Sequence, residues 1–421
     1  MSHRVTGWQC AVCGATRDIA DPAPWRCPNS TLGDRRHLLV RVEGDPIPST
    51  RDASSFVAHD GDLAWAAFAA SRGLDSDGRR RLFAELDDAV AQVGGVRFVT
   101  TPLSRSNGLS GALGFGAEGG VWVKDETGGV AGSHKARHLL SIMLHLRALE
   151  ETGGLPHRPP LAIASCGNAA VAASTLARAA DWPIDVFVPT WMDDAMGGLL
   201  EHLGARIHRC ERRDDDPAGD PAMLRFREAV ESGSVPFTVQ GPENTLCLDG
   251  GRTIAWEAIA QMEAQSGRCF DAVFIQVGGG AFVSCIGSVL ADQPEPPTMH
   301  AVQAEGCAPL ARAWDRAAGR ADVAGSWADL MTPWEDPQSL ADGILDDETY
   351  DWLGAFESMR VTGGSPVVAS EGEVVRAHEM FVAAGYPVSP TGSAGLAGLL
   401  AAREGIDENH RVLVVASGVA R

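Results

Sequence analysis

The chain has 421 residues, of which 45% are hydrophobic and 21% charged, so it can bury cores for two domains and is not a disordered chain. Its formal net charge of −20 repels phosphate backbones and anionic membrane surfaces, which argues against nucleic acid and lipid partners. No apolar run approaches the roughly 20 residues of a membrane span, and the N-terminal residues lack the apolar core of a signal peptide.

Residues 1–42 form a cysteine-containing segment that looks like a zinc ribbon. Cys10 and Cys13 make a CxxC pair, Cys27 follows after a gap, and His37 comes next. A CxxC turn presents two thiolates to one ion, and zinc takes four nitrogen or sulfur ligands. We therefore expect these four residues to hold a structural zinc ion. The alternative is a degenerate knuckle with reduced surface cysteines, because the usual second CxxC is broken.

The remaining six cysteines are scattered along the chain, and the total of nine is odd. An odd and mostly unclustered set favours reduced thiols over a disulfide framework. We expect a cytoplasmic protein.

Residues 43–95 predict an extended arm followed by helices near 62–74 and 78–93, where apolar residues recur at helical spacing. From residue 96 onward, short apolar segments rich in β-branched residues alternate with helical stretches such as 136–151 and 169–180. The predicted strands are 121–123, 161–165, 184–189, 205–210, 271–277, 300–305 and 411–417. This alternation predicts an α/β fold with parallel sheets covered by helices.

Ligands of parallel α/β sheets bind at the carboxyl ends of the strands, so the residues that follow each strand are informative. GGGAF (278–282) opens a helix, and consecutive glycines beside a helix N-terminus form a phosphate cradle. SCGNAA (165–170) also opens a helix, and its backbone N–H groups are suited to a carboxylate. The alternatives are a tight turn for the first segment and an ordinary N-cap for the second. No GxxxxGK[ST] motif occurs, which argues against a nucleotide triphosphate loop.

Lys135 stands at the start of a predicted helix, where a cation is disfavoured. In an apolar cleft its neutral amine is favoured over the ammonium ion. A neutral lysine amine is a nucleophile that condenses with a carbonyl group. A phosphate cradle, a carboxylate cradle and such a lysine together indicate pyridoxal phosphate holding an amino acid.

With these motifs in place, the chain resembles the fold type II, tryptophan synthase β-like, pyridoxal phosphate enzymes, and within them the threonine synthase and serine–threonine dehydratase branch. GSHKAR (132–137) looks like the lysine motif, ASCGNAAVAAS (164–174) like the asparagine loop, and VGGGAFVS (277–284) like the phosphate loop. The segments LDGGRTIAWE, VQAEG, ADGI and SPTGSAGLAGL follow in the family's order, and the resemblance covers about 96–421.

The resemblance implies two parallel-sheet α/β domains with the cofactor in the cleft between them, plus the zinc-ribbon-like appendage at 1–42. The large cofactor-binding domain would comprise 96–135 and 241–421, and the small α/β domain 136–240. Residues 43–95 have no counterpart that we can place. A homodimer is expected on the same grounds.

The resemblance also implies roles for individual residues. Lys135 would carry the cofactor and move the Cα proton, and Asn168 would hydrogen-bond the 3′-oxygen. Ser417 would face the pyridine nitrogen. Backbone N–H groups of the phosphate loop would bind the phosphate, at Gly278, Gly279, Gly280 and Ala281. The substrate carboxylate would be held by Ser165, Cys166, Gly167 and Asn168.

Ser417 bears most on reaction type. A neutral hydroxyl opposite the pyridine nitrogen leaves that nitrogen unprotonated, which favours loss of a leaving group over transamination. We therefore expect α,β-elimination from a small amino acid with a β leaving group, as in a serine or threonine dehydratase-like ammonia-lyase. One alternative is threonine synthase-like β,γ-replacement on a phosphorylated amino acid, or another β-replacement, although Arg137 and Arg252 are the only basic candidates near the motifs.

Another class of protein also stays open, namely a non-catalytic protein of this fold that mediates zinc-dependent interactions.

The chain departs from the family at SHKAR, where threonine synthases commonly read SFKDR, so Ala136 replaces an aspartate. His134 is similar to the histidine of the tryptophan synthase β chain. It could equally flank the cofactor ring without a role in proton transfer.

Overall fold

The computed structural model describes residues 2–47, 52, 54–217 and 219–421. The chain divides into two compact units, each built around its own parallel sheet. Unit 1 comprises Met1–Val99, Gly129–Ala131 and Lys135–Gly250, and unit 2 comprises Thr100–Gly128, Gly132–His134 and Gly251–Arg421.

The described residues contain thirteen strands in three sheets. In chain order the strands are β1 (Ser2–Cys10), β2 (Thr16–Asp18), β3 (Leu39–Ile47), β4 (Leu103–Ser106), β5 (Gly120–Asp125), β6 (Leu161–Ala164), β7 (Ile184–Pro189), β8 (Arg206–Cys210), β9 (Val235–Pro236), β10 (Ala272–Gln276), β11 (Thr298–Ala304), β12 (Val367–Ala369) and β13 (Arg411–Ala416).

Helices surround the two parallel sheets, and local signals set several of their boundaries. Ser370 and Glu373 form a capping box at one helix start, and Gly95, at φ 72°, ends another helix in the left-handed region. The α-helices are α1 (Ser55–Ala58), α2 (Ala64–Ser71), α3 (Ser76–Gly94), α4 (Asn107–Ala112), α5 (Lys135–Glu151), α6 (Asn168–Ala179), α7 (Asp194–His202), α8 (Pro221–Glu231), α9 (Leu246–Ser266), α10 (Ala281–Ala291), α11 (Pro309–Ala317), α12 (Trp327–Leu330), α13 (Trp352–Thr362), α14 (Glu371–Ala383) and α15 (Pro390–Ala402).

Unit 2 contains a six-stranded sheet in the order β12-β11-β10-β13-β5-β4. All neighbours are parallel except β4, which runs antiparallel to β5. The central strands β5, β10 and β13 are buried along almost their whole length, as strands covered on both faces must be. Because they are neighbours in the sheet, the loops that follow them lie at one edge.

Unit 1 contains a parallel sheet in the order β8-β7-β6-β9 and an antiparallel sheet in the order β2-β1-β3. The antiparallel sheet belongs to the N-terminal segment, which packs on the rest of unit 1. Thr245 donates its N–H to the carbonyl of Trp25 at 2.7 Å and its hydroxyl to the carbonyl of Leu39 at 3.0 Å. The buried Glu243 pairs with Arg35 at 3.2 Å. Residues 1–42 are therefore anchored immediately before α9.

The predicted fold class is confirmed, and each strand predicted from residue 96 onward is present within one to two residues of its expected bounds. The helix predicted at 62–74 ends earlier, at Ser71, because Gly73 adopts φ 88°. The predicted arm begins inside strand β3, and its residues 48–51 and 53 lie outside the described residues. The predicted domain boundaries stay a prediction. None of the helices in the described residues combines the length and the hydrophobicity that a membrane span requires.

Candidate active site

Three loops of unit 2 follow neighbouring parallel strands and meet at one edge of its sheet. The loop after β5 ends in Ser133 and His134, the glycine loop (Gly278–Ala281) follows β10, and Ser417 follows β13. Two of these three loops contain residues predicted for the cofactor site. Their common position is the one expected for a ligand site of a parallel sheet.

The glycine loop presents the N-terminus of α10. Gly280 is the N-cap residue in a left-handed conformation at φ 93°, and no described side chain caps this end of the helix. The first turn of α10 carries no acidic residue. Its N–H groups, together with the helix dipole, can therefore receive an anion.

Glycine is required in this loop by close packing against the segment 344–351. A Cβ atom at Gly278 would lie 2.5 Å from an oxygen of Asp346, and one at Gly280 would lie 2.8 Å from the methyl group of Thr349. Ser133, in the neighbouring loop, is 2% exposed, and its hydroxyl has no hydrogen-bond partner among the described residues. A buried hydroxyl without a partner is costly. This hydroxyl and the uncapped helix end fit a phosphate group.

Ser417 is buried and contacts His134 twice. The backbone N–H of His134 donates to the Ser417 hydroxyl at 3.1 Å, and the His134 Nδ1 lies 2.5 Å from the same oxygen. The imidazole ring stacks on Phe282, with centroids 3.8 Å apart and an interplanar angle of 13°. The side chain at the end of β13 is thus a neutral hydroxyl held by a histidine.

Lys135 belongs to unit 1 and is the first residue of α5. The turn before it uses left-handed conformations at Ala131 (φ 56°) and Gly132 (φ 65°). Burial and then the charge of Lys135 lower the pKa of His138, one turn along α5, to about 3. The chain contains two lysines, and the other, Lys124, is fully buried and pairs with a glutamate at 2.7 Å. Lys135 is therefore the lysine suited to carry a cofactor.

The asparagine loop (Ser165–Asn168) follows β6 in unit 1 and is half-buried throughout. Asn168 begins α6, and Gly167 is an N-cap residue without a side-chain hydrogen bond. The Ser165 hydroxyl accepts the N–H of Gly167 at 3.3 Å. The loop thus offers a hydroxyl, an amide and a helix N-terminus at one strand end, which is chemistry suited to a carboxylate.

The predicted metal ligands converge in unit 1. One ligand atom from each of Cys10, Cys13, Cys27 and His37 lies within 4.8 Å of all the others. The Cys10 sulfur is 3.4 Å from the His37 Nδ1, and the Cys13 and Cys27 sulfurs are 3.5 Å apart. Burial opposes ionisation of Cys13, but hydrogen bonds from the backbone of Ala15 and from nearby side chains lower the pKa of its thiol to about 6. Burial raises the pKa of Cys27 to about 12.

Comparison with known proteins agrees with this chemistry. Residues 98–418 match the model of the pyridoxal-phosphate dependent enzyme family. The chain belongs to this family. It is therefore a pyridoxal phosphate-dependent enzyme, and the cofactor predicted from the motifs is confirmed.

Two curated relatives carry more specific names. The chain is 25% identical over 338 residues to a cysteate synthase of Methanocella arvoryzae, and the match covers 76% of each chain. It is 24% identical over 248 residues to a threonine synthase of Methanosarcina acetivorans, covering 57% of this chain and 56% of the relative. The chain thus matches little more than half of that threonine synthase.

Solved structures show the same fold. The processed form of threonine deaminase isoform 2 from Solanum lycopersicum superposes with a TM-score of 0.60 at 18% identity, covering 82% of this chain and 86% of that one. The maize serine racemase has a TM-score of 0.61 at 16% identity, covering 80% and 93%. At these identities the likeness establishes the fold type II architecture.

Sequence reasoning missed two features of the site. The unpartnered hydroxyl of Ser133 was not identified, although it lies within the lysine motif. The hydrogen-bonded contact between His134 and Ser417, which lie 283 positions apart, was also missed. A serine and a histidine immediately before the predicted cofactor lysine were the available sequence signal.

Proposed function

We propose that the protein is an amino-acid lyase that performs α,β-elimination on a small amino acid with a leaving group on Cβ and releases ammonia and a keto acid. The bound cofactor supplies an electron sink for the Cα carbon. The asparagine loop orients the substrate carboxylate while the Lys135 amine takes the Cα proton. The leaving group departs from Cβ with its bonding electrons and receives that proton. Water then hydrolyses the released enamine to the keto acid and ammonia.

The observation that carries this proposal is the buried hydroxyl of Ser417 at the sheet edge that also bears the glycine loop. A carboxylate at that position would hold a proton on the cofactor nitrogen and favour a long-lived carbanion. The described surroundings of Ser417 supply a neutral hydroxyl and an imidazole instead. This environment supports rapid loss of a Cβ substituent.

A second candidate is replacement at Cβ, or threonine synthase-like β,γ-replacement on a phosphorylated amino acid. The names of the relatives, cysteate synthase and threonine synthase, favour it. A phosphorylated substrate needs an additional anion site. Arg137, the candidate in the lysine motif, is buried and contacts the Ser55 hydroxyl at 3.4 Å and the Val99 carbonyl at 3.5 Å. These contacts support a structural role for Arg137 and leave Arg252 as the basic candidate for that site. Elimination is preferred because of the surroundings of Ser417.

The test is the visible spectrum of the holoenzyme as serine, threonine, hydroxyaspartate and O-phosphohomoserine are added singly, with assays for keto acid, ammonia and phosphate. Elimination predicts a spectral change with a β-substituted amino acid, and stoichiometric keto acid and ammonia. If O-phosphohomoserine is the one amino acid that reacts, and phosphate is released from it, the result would favour replacement. A cofactor spectrum that responds to no amino acid would favour the non-catalytic alternative.

We also propose that Cys10, Cys13, Cys27 and His37, here called the Cys10–His37 cluster, hold one structural zinc ion. We propose further that the protein is a homodimer and that it acts in the cytoplasm. Four convergent nitrogen and sulfur atoms support the zinc site. All nine cysteines are free, which is consistent with a reducing compartment.

A further inference from the structure

We infer that His134 is a positioning residue that donates a proton from Nδ1 to Ser417 and thereby fixes the Ser417 hydroxyl as a donor to the cofactor's ring nitrogen. The inference rests on the proposed function, both for the position of Ser417 opposite that nitrogen and for the elimination reaction that needs the nitrogen unprotonated. It goes further by assigning the proton on His134 and the direction of the Ser417 hydroxyl.

The protons and lone pairs around the Ser417 hydroxyl decide which group it can donate to. A serine hydroxyl has one proton to donate and two lone pairs to accept with. The backbone N–H of His134 occupies one lone pair at 3.1 Å. If Nδ1 carries a proton, its 2.5 Å contact occupies the second lone pair, and the hydroxyl proton is left for a third group.

The opposite tautomer would have the opposite chemical effect. If Nδ1 is unprotonated, it accepts the hydrogen bond that the Ser417 hydroxyl donates. Ser417 can then only accept a hydrogen bond from the cofactor's ring nitrogen. An acceptor at that position would keep the nitrogen protonated, which conflicts with elimination. With both lone pairs occupied by His134, the hydroxyl is also a stronger donor, because chains of hydrogen bonds polarise one another.

The surroundings of His134 suit a positioning role. Its side chain is buried, and its ring lies nearly parallel to Phe282 at 3.8 Å. Stacking therefore restricts the tilt of the ring plane, and the 2.5 Å contact with the Ser417 hydroxyl fixes the edge of the ring that carries Nδ1. The backbone N–H of His134 is also hydrogen-bonded to Ser417, so the backbone donor and the ring donor to this hydroxyl come from the same residue.

The first test uses the protein without added cofactor. Histidine-selective ¹⁵N labelling and long-range ¹H–¹⁵N spectra report which ring nitrogen carries the proton, and the His134 signals are identified by their loss in His134→Phe. We expect a protonated Nδ1 at neutral pH. A bare Nδ1 with the proton on Nε2 would overturn the inference, whatever the enzyme's reaction.

The second test uses pyridoxal phosphate labelled with ¹⁵N at the ring nitrogen, bound to the wild type, His134→Asn, His134→Phe and Ser417→Ala. The asparagine amide can still donate to Ser417, so the wild type and His134→Asn should give the unprotonated shift. His134→Phe retains an aromatic ring against Phe282 but lacks the donor, and its shift should move toward that of protonated pyridine. Circular dichroism and thermal unfolding check that each variant is folded.

Two results would contradict the inference. An unchanged shift in His134→Phe beside a changed shift in Ser417→Ala would mean that Ser417 acts without His134. An unchanged shift in Ser417→Ala would mean that Ser417 does not face the nitrogen. A wild-type protein that fails to bind the labelled cofactor would instead contradict the proposed function itself, and the cofactor-free test separates that failure from a wrong tautomer.

Discussion

Lys124 lies at the centre of a buried polar cluster in unit 2. Its ammonium group contacts the Glu257 carboxylate at 2.7 Å, the Thr101 carbonyl at 2.8 Å and the Gln261 side-chain oxygen at 2.9 Å. Lys124 is fully buried, and Glu257 is 4% exposed. Such a pair is costly to break, because the remaining charge stays buried without compensation.

We expect Lys124→Met to lower the free energy of unfolding by about 3–5 kcal/mol in urea denaturation. The matched control is Arg81→Met, since Arg81 is exposed and also forms two ion pairs. Solvent screens those pairs, so the control should change stability little. The double variant Lys124→Met with Glu257→Leu should regain part of the loss. Equal small effects in both single variants would contradict this view of the cluster.

Two buried histidines of α5 make stability depend on pH. Burial lowers the pKa of His145 to about 4 and that of His138 to about 3. An unfolded histidine titrates near 6.5, so between these values the unfolded chain binds more protons than the folded protein. Stability is therefore complete above about pH 6.5 and falls as the pH decreases below it.

Each histidine should contribute roughly 2 kcal/mol of lost stability between pH 7.5 and pH 5. His145→Gln removes one of these contributions, so its unfolding free energy should fall less steeply than that of the wild type. His157→Gln, at an exposed position, should follow the wild-type curve. Urea denaturation across the pH range measures all three proteins, and parallel curves for the wild type and His145→Gln would contradict the prediction.

We expect the glycine loop to be the element on which cofactor binding depends most directly. Gly280 needs a left-handed backbone at φ 93°, and a Cβ atom there would lie 2.8 Å from Thr349 and 3.2 Å from Asp351. Gly319 has a similar φ of 75° but no atom within 4 Å of its Cβ position. The two positions therefore separate backbone strain from displacement of the loop.

Both Gly280→Ala and Gly319→Ala should lose about 1 kcal/mol of stability from strain, and Gly280→Ala more because of the clash. Only Gly280→Ala should weaken pyridoxal phosphate binding, because only there does the added methyl group displace the loop. We expect the affinity to fall by about tenfold or more, which corresponds to about 1.4 kcal/mol. Absorbance titration of each cofactor-free variant measures the affinity. A normal affinity in Gly280→Ala would argue against phosphate binding by this loop.

Elements differ in how far the sequence reveals them. The central strands were predictable because strands covered on both faces form continuous apolar runs. β4 and β12 are short edge strands with mixed burial, so they lack that pattern and were missed. The residues after the central strands could be predicted as the candidate site, and their roles stay a prediction. The contact between His134 and Ser417 could not, because it depends on the pairing of β5 with β13.

At the scale of the whole molecule, the N-terminal segment packs on the rest of unit 1 through contacts that cannot be predicted from sequence spacing. Arg35 and Glu243 are 208 positions apart, and Thr245 bonds to carbonyls of Trp25 and Leu39. The converging ligand atoms of Cys10, Cys13, Cys27 and His37 belong to the same segment as Trp25, Arg35 and Leu39. A metal ion there would therefore stabilise the docking of the segment as well as the segment itself.

Elemental analysis should find about one zinc ion per chain, as expected for a closed tetrahedral site. Cys27→Ser should lose the zinc and melt at a lower temperature, and chelation of the wild type should reproduce the lower melting temperature. Cys269→Ser, at a cysteine of unit 2, serves as the control and should retain the metal. Wild-type protein that holds no metal and is indifferent to chelators would favour the degenerate knuckle.

The most direct measurement of the central claim is borohydride reduction of the holoenzyme followed by peptide mapping. Reduction fixes the bond between the cofactor's aldehyde carbon and a lysine nitrogen, and the chain offers Lys124 and Lys135 alone. We predict a pyridoxyl group on the peptide that contains Lys135, none on Lys124, and none in Lys135→Ala, which should also lose ~10³-fold or more in activity. A label on Lys124, or no label in folded protein supplied with pyridoxal phosphate, would contradict the assignment.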